Sequence, residues 1–152
     1  MEGKRCLGYS SARCLSHKFE RGIHVQCEED GGFRERHPNV EACLVLSGNV
    51  EVLSDKGGEA HWIAAGPGDF IEVPSNAKHG FRNRSQHPVV QLISISSKLG
   101  RFFQEIGRPI TRTARLNPPS PDELQRLVQI GQRYGYWFAT PEENASAGIS
   151  FF

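Results

Sequence analysis

Charge of one sign is scarce in this 152-residue sequence: 18 Lys and Arg stand against 17 Asp and Glu, a formal net charge of +1. That balance leaves no electrostatic footprint for DNA, RNA or an anionic membrane surface. Long apolar runs are missing too, with no window approaching 18 consecutive apolar residues, which disfavours a membrane-spanning helix. The opening Met1-Glu2-Gly3-Lys4-Arg5 has no apolar core of the kind a signal peptide needs, so a cytoplasmic protein is expected. Cysteine is sparse, at positions 6, 14, 27 and 43 with no CxxC pair, which argues against a zinc knuckle and a disulfide framework. There is no internal repeat and no low-complexity tract.

What is present is ordinary for a globular domain: 38% hydrophobic residues and 16 glycines. A chain of this length buries roughly two thirds of its unfolded surface. It therefore needs no metal merely to stay folded, and any metal would serve function. The expected partner is a small molecule.

Three textures follow one another, and they are expected to form one domain. Residues 1–36 are polar, with one weak strand pattern at Gly22 to Cys27. Residues 37–97 carry short apolar runs punctuated by Gly, Pro and Asn: Ala42 to Ser47, Val50 to Leu53, Ala60 to Ala64, Phe70 to Val73, His79 to Asn83 and Val89 to Ser96. Six short runs of this kind predict an antiparallel sandwich or small barrel, with tight turns at Ser47-Gly48-Asn49, Asp55 to Gly58 and Gly66-Pro67-Gly68-Asp69. Residues 98–152 form a helical extension that covers part of the β structure. Leu99, Phe102, Phe103 and Ile106 repeat at helical spacing before Gly107 and Pro109. Ser120-Pro121-Asp122-Glu123 is a capping box opening a second helix through Leu124, Leu127, Val128 and Gly131, ended by Gly135. The last seventeen residues, with Trp137, Phe138 and Phe151-Phe152, read as a tail that packs on a neighbour or frays.

Two stretches concentrate metal-ligating side chains. If Glu35 to Glu41 is extended, a period of two puts Glu35, His37 and Glu41 on one face. The same parity puts His79, Phe81 and Asn83 on one face of the second stretch. Two imidazoles with one or two carboxylates suit Fe, Mn, Ni, Cu or Zn as a divalent ion with open coordination positions. Glu35 lies between Arg34 and Arg36, so it is either a ligand or a solvated rim charge. A Glu41 carboxylate entering a barrel would need a metal or a histidine partner. Cys43 shares its parity and reads as a buried thiol. Phe81, Phe70 and Val45 read as core, His61 as an ordinary strand residue and His87 as exposed. The scattered Arg101, Arg108, Arg112 and Arg115 read as solvated surface. The sequons at Asn83 and Asn144 are short enough to arise by chance.

These residues also carry a resemblance. His37, three residues, Glu41, six residues and Gly48 reproduce the second half of the first cupin motif. Gly68, five residues, Pro74, Ser75, Asn76, two residues, His79, three residues and Asn83 reproduce the second motif, with Asn76 in place of its middle Gly. The chain resembles a single-domain cupin, similar to small bacterial quercetin dioxygenase-like cupins. The resemblance implies an all-β fold, a small antiparallel β-barrel or jelly roll with C-terminal helices. It implies a divalent transition metal held by His37, Glu41 and His79, and by Glu35 where the family places its first histidine. The activity it implies is that of a metal-dependent oxygenase acting on a small, partly apolar phenolic or enolic substrate, with Glu41 in the catalytic role or Glu35 as the alternative general base. A non-catalytic binding module and an isomerase or cyclase remain alternatives. Small cupins commonly pair through a sheet edge, so a homodimer is expected.

Overall fold

Alternation along the strands decides which side chains enter the barrel. In the computed structural model, residues 34–56, 59–85, 87–109 and 120–149 are described, together with the backbone of three N-terminal strands. The elements in chain order are β1 (Lys4–Arg5), β2 (Arg13–Cys14), β3 (Gly22–Cys27), β4 (Glu35–Arg36), β5 (Glu41–Ser47), β6 (Val50–Lys56), β7 (Glu59–Ala65), β8 (Phe70–Val73), β9 (His79–Arg82), β10 (Val89–Ile95), α1 (Ser97–Ile106), β11 (Arg108–Pro109), α2 (Pro121–Tyr134), β12 (Trp137–Phe138) and α3 (Pro141–Ser146). One sheet runs β3-β10-β5-β8, a second runs β12-β4-β9-β6-β7, and a small third sheet joins β11, β1 and β2. Every strand pair described is antiparallel.

The two larger sheets face each other across one apolar core. From β5 come Cys43 and Val45, from β6 Val50 and Val52, from β8 Val73, from β9 Phe81, and from β10 Val89 and Ile93. Burying each of the larger of these side chains stabilises the fold by roughly 1.5–3 kcal/mol before the entropy of ordering is counted. A second apolar cluster joins α1 to α2 through Leu99, Phe102, Phe103, Ile106, Leu127 and Ile130, and Tyr136 extends it towards β12. Both helices start as their sequences dictate. Ser96 caps α1 by accepting from the Leu99 backbone N–H, and Ser120 and Glu123 close a reciprocal capping box on α2. Gly135 ends α2 in the left-handed conformation, at φ 82°. No helix among the described residues is long and apolar enough to cross a membrane.

Two expectations are corrected. Phe70 is not core: at 66% exposure it stands on the outer face of β8, because the parity that buries Val73 turns Phe70 outwards. The segment from Glu35 to Glu41 is not one strand. A bend at Pro38–Asn39 carries the chain from β4 in one sheet to β5 in the other. Of the two alternatives for the last seventeen residues, packing is the one seen over most of them: residues 137–138 add β12 to the edge of β4 and residues 141–146 form α3 behind a Thr140–Glu143 capping box. Residues 150–152, including Phe151-Phe152, lie outside the described set, as do the side chains of Cys6, Cys14, Cys27, His17 and His24.

Two turns show backbone need separated from space. Gly48 and Gly68 both have positive φ, 78° and 92°. A Cβ at Gly48 would sit 2.6 Å from the Pro88 carbonyl oxygen, whereas one at Gly68 would meet nothing within 4 Å. Gly68→Ala should therefore lower stability by about 1 kcal/mol, the left-handed penalty alone. Gly48→Ala should cost about 1–3 kcal/mol more. Urea unfolding midpoints of the two variants check this ordering, and equal losses would contradict it.

Candidate metal centre

Four side chains from three segments meet at one end of the barrel. Glu35 leaves β4 and pairs in register with His79 on β9, so the two side chains stand side by side. His37 follows just after β4, and Glu41 opens β5 on the facing sheet. The bend between them is held from outside: the Asn76 backbone N–H donates to the His37 carbonyl at 2.8 Å, and the Ser75 hydroxyl donates to the Pro38 carbonyl at 2.9 Å. Asn76 itself takes φ 60°, a conformation Asn tolerates nearly as well as the Gly usual at that motif position. The second motif therefore supplies His79 and also clamps the first motif's histidine.

All four side chains are withdrawn from water, at 6% exposure for Glu35, 1% for His37, 2% for Glu41 and 3% for His79. Ligand atoms of Glu35, His37 and His79 all lie within 4.8 Å of one another. Glu41 joins them: its Oε2 is 3.3 Å from His37 Nε2 and 4.0 Å from His79 Nε2. Glu35 Oε1 is 3.7 Å from His79 Nε2, and the two imidazole rings meet edge to face with centroids 5.0 Å apart. The Cys43 thiol, 3.5 Å from Glu41 Oε1, donates to the carboxylate from below. Its burial raises the thiol's pKa far above the usual range, and the Glu41 charge adds to this, so it stays protonated.

The tautomer of His79 is settled by its neighbours. Nδ1 lies 2.9 Å from the Ala77 carbonyl, which can only accept, so Nδ1 carries a proton, and in the neutral ring Nε2 presents a lone pair. That lone pair is buried without a hydrogen-bond partner among the described residues, and it faces two carboxylates, which can donate nothing when ionised. Two imidazole nitrogens and two anions around one point call for positive charge, carried by protons on the rings or by a cation between them. The residues present therefore fit a divalent metal.

Electrostatics within the cluster point the same way. Burial pushes the His37 pKa down, but its hydrogen bond to Glu41 and the charges of Glu35 and Glu41 outweigh this and hold it above its ordinary value. Burial pushes Glu41 up, but the hydrogen bond from His37 and the positive charge of the two imidazoles outweigh it and hold it below its ordinary value.

Of the sequence candidates, His37, Glu41, His79 and Glu35 are brought together, and Glu35 lies inside rather than on the rim. Arg34 pairs with Asp55 instead. His61 and His87 are exposed and take no part. Asn83, 1% exposed, forms a turn by accepting from the Ser85 N–H and donating to the His87 carbonyl; it shapes the end of β9 and is no ligand. Sequence reasoning missed Tyr136, whose ring lies 4.9 Å from that of His37 and stacks on Phe102 at 4.2 Å and Phe138 at 5.4 Å. No periodic pattern marked it. The only available signal was the density of aromatics from Tyr134 to Phe138.

The comparisons with known proteins bear on this geometry. A profile of the cupin domain family matches residues 23–95, which include all four of these side chains. Residues 23–95 are thus similar to a cupin domain. No curated protein matches the chain. Among solved structures, a cupin-2 domain from Rhodospirillum rubrum is 16% identical, covering 83% of this chain and 82% of its own, with a TM-score of 0.48. A sugar phosphate isomerase of the cupin superfamily from Silicibacter pomeroyi is 22% identical, covering 61% and 57%, at 0.44. The hydroxypropylphosphonic acid epoxidase of S. wedmorenis is 14% identical, covering 55% and 49%, at 0.43. The matched residues stop short of α1, so Tyr136 is contributed from outside them.

The pKa shifts carry a sign that can be measured on metal-stripped protein. Glu41 contributes stability above its ordinary value of 4.5 and loses it as pH falls through its depressed folded value. His37 contributes stability below its ordinary value of 6.5 and loses it as pH rises through its raised folded value. Stability should therefore peak between pH 4.5 and 6.5 and decline on both sides. With a divalent ion present the optimum should move upwards, because ligands must be deprotonated. Urea midpoints measured from pH 4 to 9, with and without chelator, check both statements.

Proposed function

We propose that this cupin domain is a divalent-metal-dependent enzyme of the oxygenase type, acting on a small, partly apolar substrate with a phenolic or enolic proton. The observation that carries the reading is the His79 Nε2 lone pair, fixed by the Ala77 carbonyl and aimed between Glu35 and Glu41. The ligands are His37, His79 and Glu41, with Glu35 as a second carboxylate. Imidazole and carboxylate together suit a first-row divalent ion, which supplies Lewis acidity and, where redox-active, a centre for reaction with dioxygen.

The protein's own side chains divide the remaining work. Glu41 is engaged by His37, His79 and Cys43 and has a lowered pKa, which makes it a better anionic ligand than proton acceptor. Abstraction of the substrate proton then falls to Glu35, on the strand nearest the C-terminal elements. Tyr136, Phe138 and Phe102 form an apolar aromatic roof beside His37, which excludes water and favours a substrate with an apolar body. The protein is expected to be cytoplasmic.

Metal content after purification without chelator tests the reading. Wild type should hold close to one divalent ion per chain and His79→Ala should hold almost none. Glu35→Gln should retain metal but lose turnover by about 100-fold or more. Absence of metal from wild type, even after incubation with Fe, Mn, Co, Ni and Zn, would remove the metalloenzyme. Oxygen uptake on a panel of phenols and enols then separates the classes: turnover without uptake makes it an isomerase or cyclase, and retention of a ligand without turnover makes it a binding module.

A further inference from the structure

We infer that Asn144 is a positioning residue for the metal centre: its buried side-chain amide, on α3 and outside the cupin domain, fixes the backbone of the strand that carries Glu35 and leads into His37. The inference rests on the metal reading above. Strand β4 is only two residues long, too short to hold its own register, and its pairing with β9 is limited to Glu35 opposite His79. The rest of its support comes from the C-terminal elements. Trp137 and Phe138 pair with Arg36 and Glu35. The residue before β4, Arg34, has both backbone groups taken from the same side: its N–H donates to Asn144 Oδ1 at 2.9 Å, and its carbonyl accepts from the Ala139 N–H at 2.9 Å.

Asn144 is 0% exposed and uses every face of its amide. While Oδ1 accepts from Arg34, Nδ2 donates to the carbonyls of Ala139 at 3.1 Å and Thr140 at 3.0 Å. Arg34, Asn144 and Ala139 thus form a closed ring of hydrogen bonds. Only a short side chain with one acceptor and two donors completes it. Aspartate keeps the acceptor and loses both donors, and alanine loses everything and leaves a partly buried Arg34 N–H without its acceptor. The reading of the Asn144 sequon as a chance match agrees with these facts, since both of its amide donors are committed inside the fold. Tyr136, two residues before the second β12 position, lays its ring against His37, so the same C-terminal unit braces the strand at its start and the imidazole at its end.

A positioning role has a reciprocal consequence. If the Asn144 clamp favours the metal-ready arrangement, metal binding must strengthen the clamp by the same factor. The test uses chelator-stripped full-length protein with cobalt(II) and zinc(II) as probes, in wild type, Asn144→Asp and Asn144→Ala. Cobalt should bind Asn144→Asp about ten-fold more weakly than wild type, with a changed d–d absorption spectrum at saturation, which a loss of stability alone would not produce. In wild type, zinc should slow hydrogen exchange of the Arg34 amide more than that of the α2 amides. Wild-type affinity and spectrum in a folded variant would overturn the inference, as would an Arg34 amide no better protected than α2. If neither variant folds, the exchange measurement on wild type decides. A wild type that binds neither ion removes the metal reading, and this inference with it.

Discussion

Two carboxylates and two imidazoles share a volume that water scarcely reaches, and the protein around them is arranged to make that tolerable. Each ion withdrawn from solvent carries an effective penalty of several kcal/mol. Mutual attraction repays it only where geometry is tight and spare hydrogen-bonding capacity is satisfied. Three backbone or thiol contacts supply that geometry here: Ala77 to His79, Cys43 to Glu41, and Asn76 to the carbonyl of His37. Each fixes a side chain or its segment without entering the space between the four. What is left at the centre is an electron-rich point with a bias towards cations, built from groups none of which is free to swing away.

Much of this was legible in the sequence because it depends on short-range spacing. The offsets from Gly68 to Pro74, His79 and Asn83 encode one turn and one strand, and the turn has the left-handed Asn76 that the spacing implies. Strand parity correctly placed Cys43, Val45 and Phe81 inside. The two longer helices were legible from caps and periodicity alone. For Glu35, local sequence could not separate ligand from rim charge, because flanking arginines look the same in both cases. Its fate was decided by Asp55, 21 positions from Arg34, which takes the arginine away.

The failures share a cause. Phe70, Tyr136 and Asn144 are governed by partners remote in the chain. Phe70 lies on a sheet-edge strand whose outer face carries Leu44 and Leu92 in register with it, a pattern that sequence parity reveals only once the buried side is known. Nothing near Tyr136 in sequence predicts a contact with His37. Asn83 and Asn144 both matched a modification signal and both proved to be buried amides serving turns and strands, a reminder that a three-residue pattern carries no information about burial.

The hydrogen bond from Arg34 to Asn144 closes a loop spanning 110 positions. Ordering so long a loop carries an entropic cost that local contacts do not bear, and contacts of large sequence separation slow folding. The hairpin of β6 and β7 has no such handicap. On this topology two distant parts of the chain must meet before β4 is held on both sides, while the β6–β7 hairpin closes within its own neighbourhood.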